Sequence, residues 1–309
     1  MKSQALQHLT TEGSNPASRD LDKKSALQIA RIINRQDATV AATIQRALPQ
    51  IARAIDDIAR ALQQGGRLIY VGTGTSGRLG ALDASECPPT FGTRPEQVQF
   101  IIAGGLKALH SATEASEDSA ELGRSEMARR RPTKKDVVVG IAASGRTPFT
   151  IAAVEYARAH GARTVALTCN RRSPLERAAH YAMVTDVGPE VVAGSSRMKA
   201  GSAHKMVLNM LSTGAMTRLG YVYGNLMVHV HLKNEKLAER GVTILAQATG
   251  LDRDGARVAL QAAGNDVPTA LIMQKAGVSR AEAVRALKQT GGHVRKAMAL
   301  ARGRNRRRA

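Results

Sequence analysis

Two loops rich in glycine and hydroxyl side chains hold the residues best suited to binding an anion. They span residues 72–80 and 142–148, and each follows an apolar run and opens a helical pattern. Glycine lets the backbone approach an anion, and the free N–H groups of a helix start point at it. We expect hydroxyl donors from Thr75, Ser76, Ser144 and Thr147. The pair of loops predicts one phosphate held between them, although either loop alone could merely cap a helix.

A third loop, residues 189–199, precedes a long helical pattern and adds a carboxylate and further donors. We expect Glu190 to accept hydrogen bonds from sugar hydroxyls, while Ser195, Ser196 and Lys199 donate to the ligand. The alternative is an ordinary helix N-cap surrounded by surface charge.

Two carboxylates, Glu86 and Glu117, are the candidates for general acid and base catalysis. Glu86 lies on a predicted helix, which Pro88 and Pro89 are expected to break directly after it. Glu117 is expected on another helix, where Glu114 is a competing candidate. A carboxylate on an alanine-rich helix is more often solvated than catalytic, so this assignment depends on the neighbouring loops.

Five short apolar runs alternate with segments long enough to return as helices, which indicates a parallel, doubly wound α/β sheet. Ligands of such sheets bind at the carboxyl ends of the strands, so the loops named above are expected at one edge. The predicted strands span residues 67–72, 98–102, 136–142, 164–168 and 181–186.

The chain is expected to form two domains. Residues 1–240 contain an N-terminal arm, helices and the sheet, and residues 241–309 form a small all-helical domain with a basic tail. Within the latter, residues 250–271 and 277–298 are an internal repeat, and each copy predicts a helix, a glycine turn and a second helix start. Residues 226–240 are also expected to be helical.

Composition excludes several classes of protein. Although the formal net charge is +20, the chain has no Trp, five Tyr and three Phe, too few rings for stacking on nucleic-acid bases. The two cysteines lack metal-ligand spacing, which predicts no metal site and suits a reducing compartment. Because no segment is typical of a membrane span or a secretory signal, we expect a cytoplasmic protein with no membrane partner and no specific nucleic-acid partner.

The motifs in combination resemble the N-acetylmuramic acid 6-phosphate etherase family, whose catalytic domain is a flavodoxin-like sugar isomerase (SIS) domain. The resemblance covers nearly the whole chain, and the C-terminal helices are similar to a ubiquitin-associated-like fold. It depends on several long motifs in the same order, at residues 9–16, 72–80, 84–90, 103–105 and 190–201.

The resemblance implies a carbon–oxygen lyase of cell-wall recycling and amino-sugar catabolism. Such an enzyme cleaves the D-lactyl ether at C3 of N-acetylmuramic acid 6-phosphate, giving N-acetylglucosamine 6-phosphate and D-lactate. By position, Glu86 matches the family's proton donor and Glu117 its second active-site carboxylate. The family is dimeric, which implies a homodimer with a shared active site.

The implied chemistry needs neither a metal nor a cofactor. The open-chain sugar has an aldehyde at C1 that acidifies the C2 proton, so elimination across C2 and C3 is feasible. A base takes that proton, an acid protonates the departing lactate oxygen, and water then adds. We expect Glu86 to be the acid and Glu117 the base.

Two other functions remain open. A phosphosugar-binding regulatory protein needs the phosphate loops but no acid and base, so the presence of Glu86 and Glu117 discriminates against it. A phosphosugar-sensing transcriptional regulator needs a helix-turn-helix reader, and residues 1–64 offer helices without a basic recognition face.

Overall fold

The computed structural model describes residues 9–111, 116–232 and 234–305. Its contacts divide the chain into two compact units. The first comprises Met1–Ala84 and Glu96–Ser212, and the second comprises Ser85–Pro95 and Thr213–Ala309.

A five-stranded parallel sheet forms the centre of the first unit, which confirms the predicted doubly wound α/β fold. The strands are β1 (Leu68–Gly72), β2 (Val98–Ile102), β3 (Val137–Ile141), β4 (Arg163–Thr168) and β5 (Tyr181–Val184). They lie in the order β2-β1-β3-β4-β5, which is the flavodoxin-like order. Every residue of β1 and β3 is buried, as expected of central parallel strands that are covered on both faces.

Eight α-helices begin in the described part of the first unit, and they pack on both faces of the sheet. They are α1 (Ala26–Asp37), α2 (Val40–Gln45), α3 (Leu48–Gln63), α4 (Gly74–Phe91), α5 (Ala120–Arg129), α6 (Pro148–Ala159), α7 (Pro174–Ala178) and α8 (Lys199–Arg218). On one face, Phe149 of α6 and Met127 of α5 join Ile69 and Val138 of the sheet in a buried apolar cluster. On the other face, the Tyr70 hydroxyl of β1 donates to Asp83 of α4, and Asp83 also accepts from Ser212 of α8.

Local sequence explains where several of these helices begin. The Ser25 hydroxyl accepts the N–H of Gln28, whose side chain accepts the Ser25 N–H in return, so α1 starts with a capping box. Ser119 and Ser173 cap α5 and α7 in the same way without the reciprocal bond. Pro148 occupies the first turn of α6, where its missing N–H costs nothing.

Helix α4 does not break at its prolines, contrary to the sequence-based expectation. It continues through Pro88 and Pro89 to Phe91, where Gly92 donates its N–H to the Pro88 carbonyl at 2.9 Å. Proline removes a helix hydrogen bond to the residue four positions earlier. Only the last turn is affected, so α4 ends one turn later than predicted.

The described part of the N-terminal arm is held to the first unit at two places. The Thr10 N–H and hydroxyl donate to Asn170 Oδ1 at 3.1 and 3.0 Å. Asn15 Nδ2 donates to Gln36 Oε1 at 2.8 Å and to the Pro189 carbonyl at 3.0 Å. The arm therefore runs beside the loops that follow β4 and β5.

The second unit is helical and contains the predicted repeat. Its further helices are α9 (Glu235–Thr249), α10 (Arg253–Ala262), α11 (Val267–Ala276), α12 (Arg280–Gln289) and α13 (Val294–Asn305). Gly250 and Gly277, equivalent in the repeat, both end a helix with φ of 85° and 64°. The expected helix over 226–240 begins only at Glu235, and Val228 and Val230 lie before it in the apolar core of this unit. The predicted domain boundary at residues 240 and 241 falls inside α9.

None of the helices in the described residues is long and apolar enough to cross a membrane.

Candidate functional site

A cavity of about 430 Å³ opens at the carboxyl ends of β1 and β3 in the first unit. These adjacent strands lead to opposite sides of the sheet, so the cavity lies at the topological switch point where ligands of doubly wound sheets bind. Its volume is in the range of small-molecule sites. The lining residues come from the N-terminal arm, the three loops named above and the segment between β2 and α5: Thr11, Glu12, Thr73, Gly74, Thr75, Ser76, Arg78, Ala108, Glu117, Ala142, Ala143, Ser144, Thr147, Ser195, Ser196 and Arg197.

The start of α4 provides backbone donors to this cavity. Its first helical hydrogen bond runs from the Gly77 N–H to the Thr73 carbonyl at 3.0 Å, so the N–H groups of residues 74–76 precede the helical ladder. Gly74 has a φ of 49°, the left-handed region that a glycine adopts without strain. This turn suits an anion, because free N–H groups and the positive end of the helix dipole coincide.

The loop after β3 adds a second helix start. Thr147 is the N-cap residue of α6, yet its hydroxyl makes no capping hydrogen bond. Ser144 Oγ accepts the Arg146 N–H at 3.2 Å and keeps its own proton for another acceptor. Gly145 has a φ of 66° and lies against Ser173, so a side chain there would be strained and would clash.

Five half-buried hydroxyl groups that line the cavity have no hydrogen-bond partner within the described residues. They belong to Thr75, Ser76, Thr147, Ser195 and Ser196. Each is half-buried, and each keeps a donor and acceptor available to a ligand. Five such groups exceed what capping requires, so this cavity is equipped for a polyoxygenated or anionic ligand.

Two of the predicted binding residues do not line the cavity. Glu190 is fully buried, and its two carboxylate oxygens accept the N–H groups of Lys199 and Ala200, each at 2.9 Å. It thus caps α8. The Lys199 ammonium is also buried and donates to Gln36 Oε1 at 3.1 Å. Burial lowers the pKa of Lys199, against the opposing effect of the Glu190 and Asp37 carboxylates.

The cavity contains charged residues that the sequence reasoning missed. Glu12 comes from the N-terminal arm, Arg78 from the second turn of α4, and Arg197 from the loop before α8. Glu12 and Arg197 lie within the motifs 9–16 and 190–201, and the resemblance of these motifs to the family could have identified both residues. The sequence spacing does not predict that Glu12 lies against Gly194 of this loop, where its Oε2 is 3.1 Å from the position that a Cβ would take, because that contact is tertiary.

The two predicted catalytic carboxylates occupy different places. Glu117 lines the cavity, where its Oε1 lies 3.1 Å from the position that a Cβ on Gly74 would take. It sits in the turn before α5 rather than on a helix, and its carbonyl accepts the Phe149 N–H at 3.2 Å. Glu86 is an exposed residue of α4 that belongs to the second unit and is absent from the cavity lining. Glu114 lies outside the described residues.

Other titratable groups of the first unit are buried away from the cavity. Cys169 Sγ lies 3.6 Å from His204 Nε2, and burial raises the pKa of the Cys169 thiol to about 12 while lowering that of His204 to about 4. Both groups are therefore uncharged near pH 7, and neither lines the cavity. The described residues contain no group of three His, Cys, Asp or Glu side chains that could hold a metal.

Comparison with known proteins assigns the family. The N-acetylmuramic acid 6-phosphate etherase 1 of Vibrio cholerae is 51% identical to this chain over 293 residues, which are 95% of this chain and 98% of the relative. This chain belongs to the N-acetylmuramic acid 6-phosphate etherase family. The etherase of Escherichia coli O1:K1 / APEC is 52% identical, with the same coverage of both chains. The resemblance inferred from the motifs is confirmed.

Models of protein families agree with the sheet of this etherase-family chain. The glucokinase regulatory protein N-terminal SIS domain matches residues 50–158, and the SIS domain matches residues 118–214. Among solved structures, a putative phosphosugar isomerase from Bacteroides fragilis is similar, with 16% identity and a TM-score of 0.48. That comparison covers 67% of this chain and 98% of the isomerase.

Proposed function

We propose that this chain cleaves the D-lactyl ether of N-acetylmuramic acid 6-phosphate, giving N-acetylglucosamine 6-phosphate and D-lactate in cytoplasmic cell-wall recycling. The observation that carries the proposal is the convergence of five unpartnered hydroxyl groups in one cavity. A sugar phosphate satisfies such a lining, because its phosphate oxygens accept from hydroxyls and N–H groups. Its own hydroxyls can then donate back.

The phosphate binds between the starts of α4 and α6. The N–H groups of residues 74–76 and the hydroxyls of Ser76, Ser144 and Thr147 all face this part of the first unit. Charge-assisted hydrogen bonds of this kind are about twice as strong as neutral ones. With the phosphate bound there, carbons C1 to C3 of the sugar lie toward the rest of the lining, which includes Glu117 and the loop of Ser195 and Ser196.

The reaction is an elimination followed by an addition. Glu117 removes the C2 proton, the C3–O bond breaks, and the lactate oxygen takes a proton from Glu86. Water then adds its oxygen to C3 of the unsaturated aldehyde while a proton returns to C2. The cycle requires one carboxyl ionised and the other protonated at its start, and it needs no redox partner.

The active form is a homodimer that shares its active site. The family resemblance supports a shared site, Glu117 lines the cavity of the first unit, and Glu86 is exposed on α4. We place the acid of one chain at the cavity of its partner, which gives both residues a role in one site.

The test is turnover of N-acetylmuramic acid 6-phosphate in water enriched in heavy oxygen, followed by mass spectrometry. Heavy oxygen in the sugar product and none in D-lactate is the expected result, because elimination breaks the bond between C3 and the ether oxygen. Heavy oxygen in lactate contradicts the mechanism. Saturable binding without lactate release contradicts the enzymatic function and favours a phosphosugar-binding regulator.

A further inference from the structure

The proposed substrate carries two anionic groups, and the loops between α4 and α6 account for only one of them. The 6-phosphate occupies the helix starts, while the carboxylate of the lactyl ether lies at the other end of the sugar, on C3. Burying a carboxylate without a cationic partner is costly. The cavity therefore needs a cation away from the phosphate loops.

Two cationic side chains of the described residues line the cavity, Arg78 and Arg197, and Arg78 already has hydrogen-bond partners within the protein. The Lys199 ammonium is buried against Gln36 outside the lining. Arg78 donates from Nε to the Leu109 carbonyl and from Nη2 to the Ser111 carbonyl, both at 3.1 Å. Those two bonds fix its guanidinium against the loop after β2.

Arg197 is the cation that remains. It lines the cavity, its side chain is exposed, and it has no hydrogen bond or ion pair with any described residue. Among the described residues, Arg197 forms no ion pair within 4.0 Å with Glu12 or Glu117, the two carboxylates of the lining. Its neighbours Ser195 and Ser196 bring two unpartnered hydroxyls to the same loop.

We propose that Arg197 binds the lactyl carboxylate and thereby selects the ether substrate over sugar phosphates that lack it. A guanidinium holds a carboxylate through two parallel N–H donors, which fixes the ether oxygen as well as the charge. The assignment depends on the proposed function, because only that substrate brings a carboxylate to the cavity. It makes Arg197 a specificity residue, separate from the phosphate loops and from the acid and base.

The test combines a protein change with a ligand change. Arg197→Gln is compared with protein that keeps Arg197 in calorimetric binding of N-acetylmuramic acid 6-phosphate, of its lactyl amide and of N-acetylglucosamine 6-phosphate. Glu117→Gln is included in every protein so that the substrate is not consumed. Arg124→Gln, an exposed arginine of α5 outside the cavity lining, is the charge-matched control.

We expect Arg197→Gln to weaken binding of the acid by about 10- to 100-fold, the range for a hydrogen-bonded charge pair. Binding of the amide and of N-acetylglucosamine 6-phosphate changes less than about twofold, because neither has the carboxylate charge. Arg197→Lys is expected to restore part of the loss, since it keeps the charge without the paired donors.

Two outcomes overturn the assignment of Arg197. Equal weakening of all three ligands would place Arg197 on the phosphate, and no weakening of the acid would remove it from recognition. Failure of the proposed function looks different, because wild-type protein would then release no lactate in the turnover experiment. If wild-type protein releases lactate but Arg197→Gln binds the acid as tightly as before, only this inference is overturned.

Discussion

The carboxylate of Asp83 accepts a 2.8 Å hydrogen bond from the hydroxyl of Tyr70, and its second oxygen accepts from Ser212 Oγ at 3.0 Å. Tyr70 lies on β1, Asp83 on α4 and Ser212 on α8. One buried carboxylate thus joins the strand before the first phosphate loop to the two helices that open beside the cavity. Burial raises the pKa of Asp83 to about 6, although both hydroxyls and Lys205 oppose the shift.

Asp83→Asn is expected to change the pH dependence of stability. An ordinary aspartate has a pKa near 3.8, so the folded state holds this proton more tightly than the unfolded state does. The stability contributed by protonated Asp83 is full below about pH 4 and is lost as pH rises through 6. As pH rises from 4 to 7, the free energy of unfolding of the variant increases by about 3 kcal/mol relative to that of wild type. Urea unfolding across that pH interval measures the difference. If the free energies of unfolding of wild type and variant changed in parallel with pH, the prediction would be contradicted.

His204→Gln is expected to have the opposite effect. Burial lowers the pKa of His204 from 6.5 to about 4, so the unfolded chain binds this proton more tightly. Wild-type stability from this group is full above pH 6.5 and falls as pH drops toward 4. The variant removes that acid-dependent loss, which is of the order of 3 kcal/mol. The same urea series measures it, and a slope of the same sign as that of Asp83→Asn would exclude the explanation.

Coexpression of Glu86→Gln with Glu117→Gln is expected to restore turnover that neither variant shows alone. If each site takes Glu86 from one chain and Glu117 from the other, a mixed dimer has one intact site of its two. Random pairing makes half of the dimers mixed, so about 25% of wild-type lactate release is expected.

Differently tagged chains allow the mixed dimer to be purified before the assay. If both carboxylates came from the same chain, each site of the mixed dimer would lack one of them. Inactive mixed dimers would therefore contradict the shared site.

Thr147→Val is expected to raise KM for the phosphorylated substrate by about tenfold, because it removes a hydroxyl that donates to phosphate and keeps the shape of the side chain. Thr249→Val is the matched control, since that hydroxyl donates to the Leu245 carbonyl in the second unit. Steady-state lactate release with both variants gives the comparison. An unchanged KM for Thr147→Val would remove this hydroxyl from phosphate binding.

The five strands and the loops that follow them could be predicted from the sequence because their signals are local. An apolar run ended by glycine, as at Gly72, predicts a buried parallel strand when such runs alternate with helical segments. For the loop of Glu190 and Lys199 the sequence left a ligand contact and a helix cap open, because only tertiary packing buries both residues and places Glu190 on the start of α8. The contribution of Glu12 depends on contacts of the arm, such as Thr10 with Asn170, that join residues 160 positions apart.

Glu190→Ala is expected to destabilise the first unit by about 2 to 4 kcal/mol. The change leaves two buried N–H groups, those of Lys199 and Ala200, without their acceptors, and each unsatisfied donor costs about 1 to 3 kcal/mol. Glu190→Gln keeps one acceptor oxygen and should lose about half as much. Glu235→Ala, an exposed first-turn carboxylate of α9, is the control and should cost less than about 1 kcal/mol. Urea unfolding separates this structural role from the predicted contact with sugar hydroxyls, which would instead raise KM in Glu190→Gln at unchanged stability.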